Sequence, residues 1–284
     1  MTYKGLIAID IDGTLTAVRD HLPAKTIDYL KELEESGWKL LFVTGRTLTW
    51  ATELLETLPF SYILSVFNGA FTVEKPQNSV IKKRYLAYDQ VFRVMTLLKD
   101  EDVGMAFYGP ADRDQRSFLY RHHASLVLAT HLKARAKAVQ ENWTEVTSLS
   151  ELPLDYFSAM RLFCLPHTAK KYSFAIEEKL HLNAPMMKDS YDDSFAVVQV
   201  THREVSKGQA MQTVMTHLGK VPLVIACGDD HNDISMLEKA DVAVVMATAP
   251  VEVLRLAHIV APAAKDHGII QGLTNAIKYA ESRS

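Results

Sequence analysis

Short apolar runs alternate with amphipathic stretches through the first third of the chain. Residues 5–11 (GLIAIDI) form an apolar, β-branched run that ends in Asp12-Gly13-Thr14, a turn signal. Residues 26–36 place Ile27, Leu30 and Leu33 at helical spacing, with Gly37 as the stop. Residues 39–43 (KLLFV) predict a second buried strand, ending at Thr44-Gly45-Arg46. Residues 48–58 predict a helix that stops before Pro59, because the residue before a proline disfavours helical geometry. Residues 62–67 (YILSVF) predict a third strand, ending at Asn68-Gly69. Continuous apolar strands joined by helices imply a parallel sheet covered on both faces.

The middle of the chain is more polar. It predicts helices at 88–99, 132–142 and 168–180, and strands at 104–108, 160–165 and 195–200. The first pattern then returns. Helices are expected at 207–218, 234–240, 251–256 and 268–280, and strands at 222–227 (PLVIAC), 242–245 (VAVV) and 258–260. The fold class that follows is α/β, a doubly wound, mainly parallel sheet built from residues 1–83 and 203–284. An α+β domain is inserted at 84–202.

Composition narrows the function classes. In 284 residues, 31 Lys and Arg face 34 Asp and Glu, for a net charge of −3. That balance argues against nucleic-acid binding, which needs a basic excess or a basic stripe. The 48% hydrophobic and 23% charged residues are those of an ordinary globular protein, not a disordered one. Two cysteines, Cys164 and Cys227, cannot make a disulfide framework, so a reduced, cytoplasmic setting is expected. No apolar stretch approaches the ~20 residues a membrane helix needs. The most apolar segment, 242–251, is short and bracketed by Asp241 and Glu252. The N-terminus carries no signal-peptide pattern.

Ligands of open α/β sheets bind beyond the carboxyl ends of the strands. Carboxylates, a hydroxyl, amides and glycines gather at those ends here. Asp10 and Asp12 are two residues apart, so an extended chain points both to one side. Two such carboxylates repel unless a cation or a shared proton intervenes. Asp229 and Asp233 add two more. With no thiolate or histidine cluster, this set suits a hard, oxygen-seeking ion, and Mg²⁺ fits best. Asp229, Asp230 and Asp233 also suit the first turn of a helix, and both roles can hold together. Gly13 allows a sharp turn that turns amides toward an anion. Thr44 offers a hydroxyl to a phosphoryl oxygen. Lys207 opens a helix near the other strand ends and offers the positive charge that carboxylates and a phosphate would require. Other polar residues read as structural. His122 and His123 suit the surface, Cys227 a small buried hydrophobe, and Asp189, Asp192 and Asp193 around Ser190 and Tyr191 a solvated loop. Tyr108 and Arg113 are weaker candidates for substrate contact.

The ordered segments IDIDGTL, FVTGR, FNGA, VSKG and CGDDHND resemble the haloacid-dehalogenase superfamily of phosphohydrolases. The position of the insertion is similar to that of the Cof-like members with a large α/β cap. The resemblance implies Asp10 as nucleophile, forming an aspartyl-phosphate, and Asp12 as general acid and then base. It implies that Thr44 and Lys207 hold and neutralise the phosphoryl group, and that Ile11, Gly13, Gly45, Asn68 and Asn232 line its site. It implies Mg²⁺ held by Asp10, Asp229 and the Asp12 carbonyl, with Asn232 and Asp233 completing the shell. The dehalogenating members lack the second Asp, so Asp12 argues against dehalogenation.

The expectation is therefore a Mg²⁺-dependent phosphomonoesterase with a cap that closes over a small phosphorylated metabolite, acting as a monomer or homodimer. A phosphomutase or phosphotransferase would share the aspartyl-phosphate but pass it to a sugar hydroxyl. A non-catalytic phosphometabolite sensor would bind without turnover, but the intact Asp10, Asp12, Thr44, Lys207 and Asp229 speak against it.

Overall fold

The computed structural model describes residues 3–17, 21–121, 124–189 and 191–283. The chain divides into two units, Met1–Lys83 with Ser206–Ser284, and Arg84–Val205. The first unit opens with β1 (Gly5–Ile9), α1 (Ala24–Glu35), β2 (Trp38–Val43), α2 (Leu48–Leu55) and β3 (Tyr62–Val66). A hairpin of β4 (Phe71–Lys75) and β5 (Ser79–Lys83) follows, which the periodicity did not suggest. Its outer strand is largely exposed, so it lacks the apolar run that marked the strands before it.

The second unit holds β6 (Leu86–Ala87), α3 (Tyr88–Leu97), β7 (Gly104–Tyr108), β8 (Ser117–Tyr120), α4 (Leu126–Ala138), β9 (Trp143–Glu145), β10 (Tyr156–Phe157), β11 (Ala159–Cys164), α5 (Pro166–Leu180), β12 (Met186–Lys188) and β13 (Ala196–Val200). Six of these strands form one sheet in the order β12-β13-β11-β7-β8-β9, and β10 pairs with β6. One sheet face packs Met160, Leu162 and Cys164 with residues of α3 and α5 into an apolar core. Helix α4 begins six residues before the predicted start at 132. The Ser125 hydroxyl caps it by accepting the Leu128 amide, and exposed Leu126 and Val127 interrupt the apolar stripe that would have marked the first turn.

The chain then returns to the first unit with α6 (Lys207–Leu218), β14 (Val224–Gly228), α7 (Ile234–Leu237), β15 (Val242–Met246), α8 (Val251–Leu254), β16 (Ile259–Ala261) and α9 (Gly268–Glu281). The eight-stranded sheet runs β16-β15-β14-β1-β2-β3-β4-β5. It is parallel from β16 to β3 and antiparallel through β4 and β5. β1 lies between β14 and β2 and is buried along its whole length, as a strand covered on both faces must be. The α/β fold class read from the sequence holds. β1, however, stops at Ile9 and not at residue 11, so Asp12 lies in a turn and strand alternation does not orient it relative to Asp10.

Candidate active site

Central position in the sheet puts the carboxyl end of β1 beside that of β14, and the site is assembled there. Asp10 follows β1 directly and its amide donates to the Cys227 carbonyl of β14 at 3.0 Å. Lys207 is the first residue of α6, after Ser206, whose hydroxyl caps the helix by accepting the Gln209 amide. A first-turn lysine is usually solvated, yet Lys207 is 1% exposed. Its Nζ donates to Asp10 Oδ1 at 2.5 Å and to Asp233 Oδ1 at 2.7 Å. The other oxygen of Asp233 accepts the amides of Asp229 and Asp230, both at 3.0 Å. Asp233 thus shapes the loop that carries Asp229. Asp229 is held in turn by the Thr14 hydroxyl, which donates to its Oδ1 at 2.9 Å. Its Oδ2 lies against Gly13, where an added Cβ would come within 2.3 Å of it, and Gly13 adopts φ +82°. Glycine is required there for both reasons.

Carboxylate oxygens of Asp10, Asp229 and Asp233 lie within 4.8 Å of one another. Burial pushes the Asp10 carboxyl well above its usual range, and Asp233, Asp229 and Asp12 push the same way against the pull of Lys207. Burial, reinforced by Asp233, pushes Asp229 up to about 7. Lys207 moves oppositely. Burial works against its charge, but Asp10 and Asp233 outweigh burial and raise it above the ordinary lysine value. Two buried carboxylates and the part-buried Asp229 against one ammonium leave negative charge uncompensated. An all-oxygen donor set with that excess is the set a hard divalent cation requires.

At the ends of β2 and β3 lie the neutral donors. Thr44 is fully buried, and its hydroxyl oxygen accepts the Arg46 amide at 3.1 Å. The Thr44 carbonyl accepts the Asn68 amide at 2.8 Å, tying the two strand ends together. Asn68 is buried in left-handed geometry, with φ 57°. Its Oδ1 accepts from Asn232 Nδ2 at 3.1 Å, while no acceptor among the described residues meets its own Nδ2. A buried donor without a partner is costly unless a ligand completes it. Gly45 sits half-buried between Thr44 and Arg46. Ile11 is fully buried, and its carbonyl accepts the amides of Leu15 and Thr16.

Asp12 has a different partner. Its carboxylate is held by Arg46, which donates from Nε to Oδ2 at 2.9 Å and from Nη2 to Oδ1 at 2.7 Å. Arg46 carried no role in the sequence reading, because only a folded chain shows its guanidinium crossing from the β2 turn to the β1 turn. Thr14 was missed for the same reason. Elsewhere, the solvated loop expected around Asp189 is corrected for that residue. Asp189 is buried, and Arg135 and His131 of α4 both bond its carboxylate. Tyr108 is also buried, and its hydroxyl donates to Glu141. His122, His123 and Ser190 lie outside the described residues.

Two buried carboxylates, the part-buried Asp229, a buried lysine and amide donors thus meet at the carboxyl edge of a parallel sheet. The chain belongs to the haloacid dehalogenase-like hydrolase family, whose profile matches residues 7–273. It is 25% identical to YxeH of Bacillus subtilis strain 168, over 95% of this chain and 97% of that protein. It is 26% identical to the pyridoxal phosphate phosphatase YbhA of Escherichia coli strain K12, over 90% of this chain and 92% of that protein. Among solved structures, BT1666 from Bacteroides thetaiotaomicron superposes with a TM-score of 0.77 at 20% identity, covering 96% of this chain and 95% of that one. BT1666 is described as a phosphatase of the haloalkanoate enzyme superfamily. The fold is therefore shared, and the chain is an enzyme of the hydrolase class.

Proposed function

We propose that the protein is a Mg²⁺-dependent phosphomonoesterase that acts on a small phosphorylated metabolite through an aspartyl-phosphate. The observation that carries this reading is Lys207, buried between Asp10 and Asp233 at the end of β1. Such an ammonium screens a carboxylate from an anion that it would otherwise repel. Asp10 attacks phosphorus with one carboxylate oxygen, and the bond to the leaving oxygen breaks. Asp12 gives that oxygen its proton, then takes a proton from the water that hydrolyses the acyl phosphate. Thr44 and Asn68 donate to the phosphoryl oxygens, where the unmatched Asn68 Nδ2 gains an acceptor. Asp10, Asp229 and the Asp12 carbonyl would hold Mg²⁺, with Asp233 and Asn232 fixing the loop around it. When bound, Mg²⁺ supplies charge neutralisation at the phosphoryl group. The relatives named as phosphatases support the reaction class, and the YbhA name supports a cofactor phosphate as the kind of substrate.

The test is phosphate release from a panel of phosphorylated sugars, nucleotides and cofactors, with Mg²⁺ and with EDTA, beside the Asp10→Asn variant. Mg²⁺-dependent release that the variant lacks is the expected result. Isomeric sugar phosphate without free phosphate would favour a mutase instead.

A further inference from the structure

Arg46 is an unusual residue to find buried in this unit. It is 2% exposed, and both its backbone and its side chain are anchored. Its amide donates to the Thr44 hydroxyl, and its carbonyl accepts the Phe67 amide at 3.0 Å. Its guanidinium carbon lies 4.3 Å from the centroid of the Trp50 ring, so the indole supports the planar fork. Trp50 stands in the first turn of α2, where its amide donates to the Thr47 hydroxyl. Asp12 contrasts with this. Its side chain is 53% exposed and lies in a turn. The fork with Arg46 is the contact that gives the Asp12 carboxylate one orientation, since an exposed aspartate otherwise samples several rotamers.

Orientation matters because of the work Asp12 is given. A group that protonates a leaving oxygen has to place one oxygen within about 2.6–3.2 Å of it. A misplacement of about 1 Å costs on the order of 100-fold in rate. We infer that Arg46 is the positioning residue for Asp12: its anchored fork sets where the Asp12 carboxylate stands relative to the leaving group. This inference rests on the phosphomonoesterase reading above. Lysine cannot substitute, because an ammonium supplies the charge without the two parallel donors that fix the carboxylate plane.

Arg46→Lys and Arg46→Ala test this with two aryl phosphates of nearly equal size. Phenyl phosphate releases a phenolate that needs a proton, and 4-nitrophenyl phosphate releases one that does not. Both variants are expected to lower kcat/KM for phenyl phosphate, which reports the steps through loss of the leaving group, about 100-fold. For 4-nitrophenyl phosphate the expected loss in kcat/KM is under about fivefold, since Asp12 gives little help to that leaving group and its later work on water, common to both esters, enters kcat alone. In an Asp12→Asn background, adding Arg46→Lys is expected to cost nothing further, because a residue that acts through another is silent once its partner is gone. If Arg46→Ala fails to fold, Arg46→Lys, which keeps the charge and most of the volume, carries the test. Equal losses of kcat/KM on both substrates, or a full additional loss in the Asp12→Asn background, would overturn the inference while leaving the enzyme class standing. A folded wild type that releases phosphate from neither ester nor any member of the metabolite panel in the presence of Mg²⁺ would overturn both.

Discussion

The Nζ of Lys207 stands 2.5 Å from Asp10 Oδ1 although the two residues are 197 positions apart in the chain. The pair joins the first helical residue of α6 to the end of β1 and is buried on both sides. Its removal is costly in two ways. Lys207→Met would leave Asp10 and Asp233 buried without their cation, and breaking a buried ion pair from one side costs about 3–5 kcal/mol. The variant is expected to unfold at markedly lower urea concentration in EDTA. It is also expected to lose phosphatase activity by on the order of 1,000-fold, the scale of losing a main electrostatic stabiliser. Urea denaturation and phosphate release measured on the same sample check both.

Gly13→Ala probes the floor under Asp229. The added methyl meets Asp229 Oδ2 at 2.3 Å, and φ +82° is strained for any L side chain. Backbone strain of this kind costs about 1–3 kcal/mol. Because Asp229 has to move, the variant is expected to need more Mg²⁺ for half-maximal activity than wild type. Mg²⁺ titration of activity measures it, and an unchanged midpoint would separate Gly13 from the metal site.

Asp189→Ala tests the buried network of the second unit. Arg135 Nε lies 3.1 Å from Asp189 Oδ2, and His131 Nε2 lies 3.1 Å from the same oxygen. Arg135 also pairs with Glu141, so part of its charge stays compensated. Loss of about 3 kcal/mol is expected, at the low end for a broken buried pair. Thermal or urea unfolding reads it. A solvated loop aspartate would give a change within about 0.5 kcal/mol.

The two cysteines are expected to be inert in the folded protein. Both are buried and unbridged. Burial pushes the Cys164 thiol up to about 11 and raises Cys227 further, and the thiolate is the reactive form. A thiol reagent at neutral pH is expected to label neither in buffer and both in urea. Rapid labelling of the native protein would contradict the buried placement.

Much of this was legible in the chain because parallel strands announce themselves as continuous apolar runs and the polar residues after them mark one edge. Asp10, Thr44, Asn68, Lys207, Asp229 and Asp233 were singled out on that basis, and the structure brings Asp10, Lys207, Asp229 and Asp233 into contact distance. Asp12 was harder. Its spacing from Asp10 suggested a shared side, but β1 ends before it, and its partner Arg46 is recognisable only when two strand-end turns lie side by side. Asp189 misled in the opposite direction. Acidic neighbours at 192 and 193 read as a solvated patch, whereas burial of residue 189 depends on α4, whose start the exposed Leu126 and Val127 concealed. The β4–β5 hairpin escaped because an exposed outer strand carries no apolar periodicity.

The central claim is that Asp10 carries the phosphoryl group during turnover. Enzyme mixed with Mg²⁺ and an aryl phosphate labelled at phosphorus, then quenched in acid within one turnover, tests this directly. The account predicts label on the peptide that contains Asp10, lost on mild base as an acyl phosphate would be, and absent from Asp10→Asn. Turnover with no protein-bound label, or with label on another residue, would contradict it.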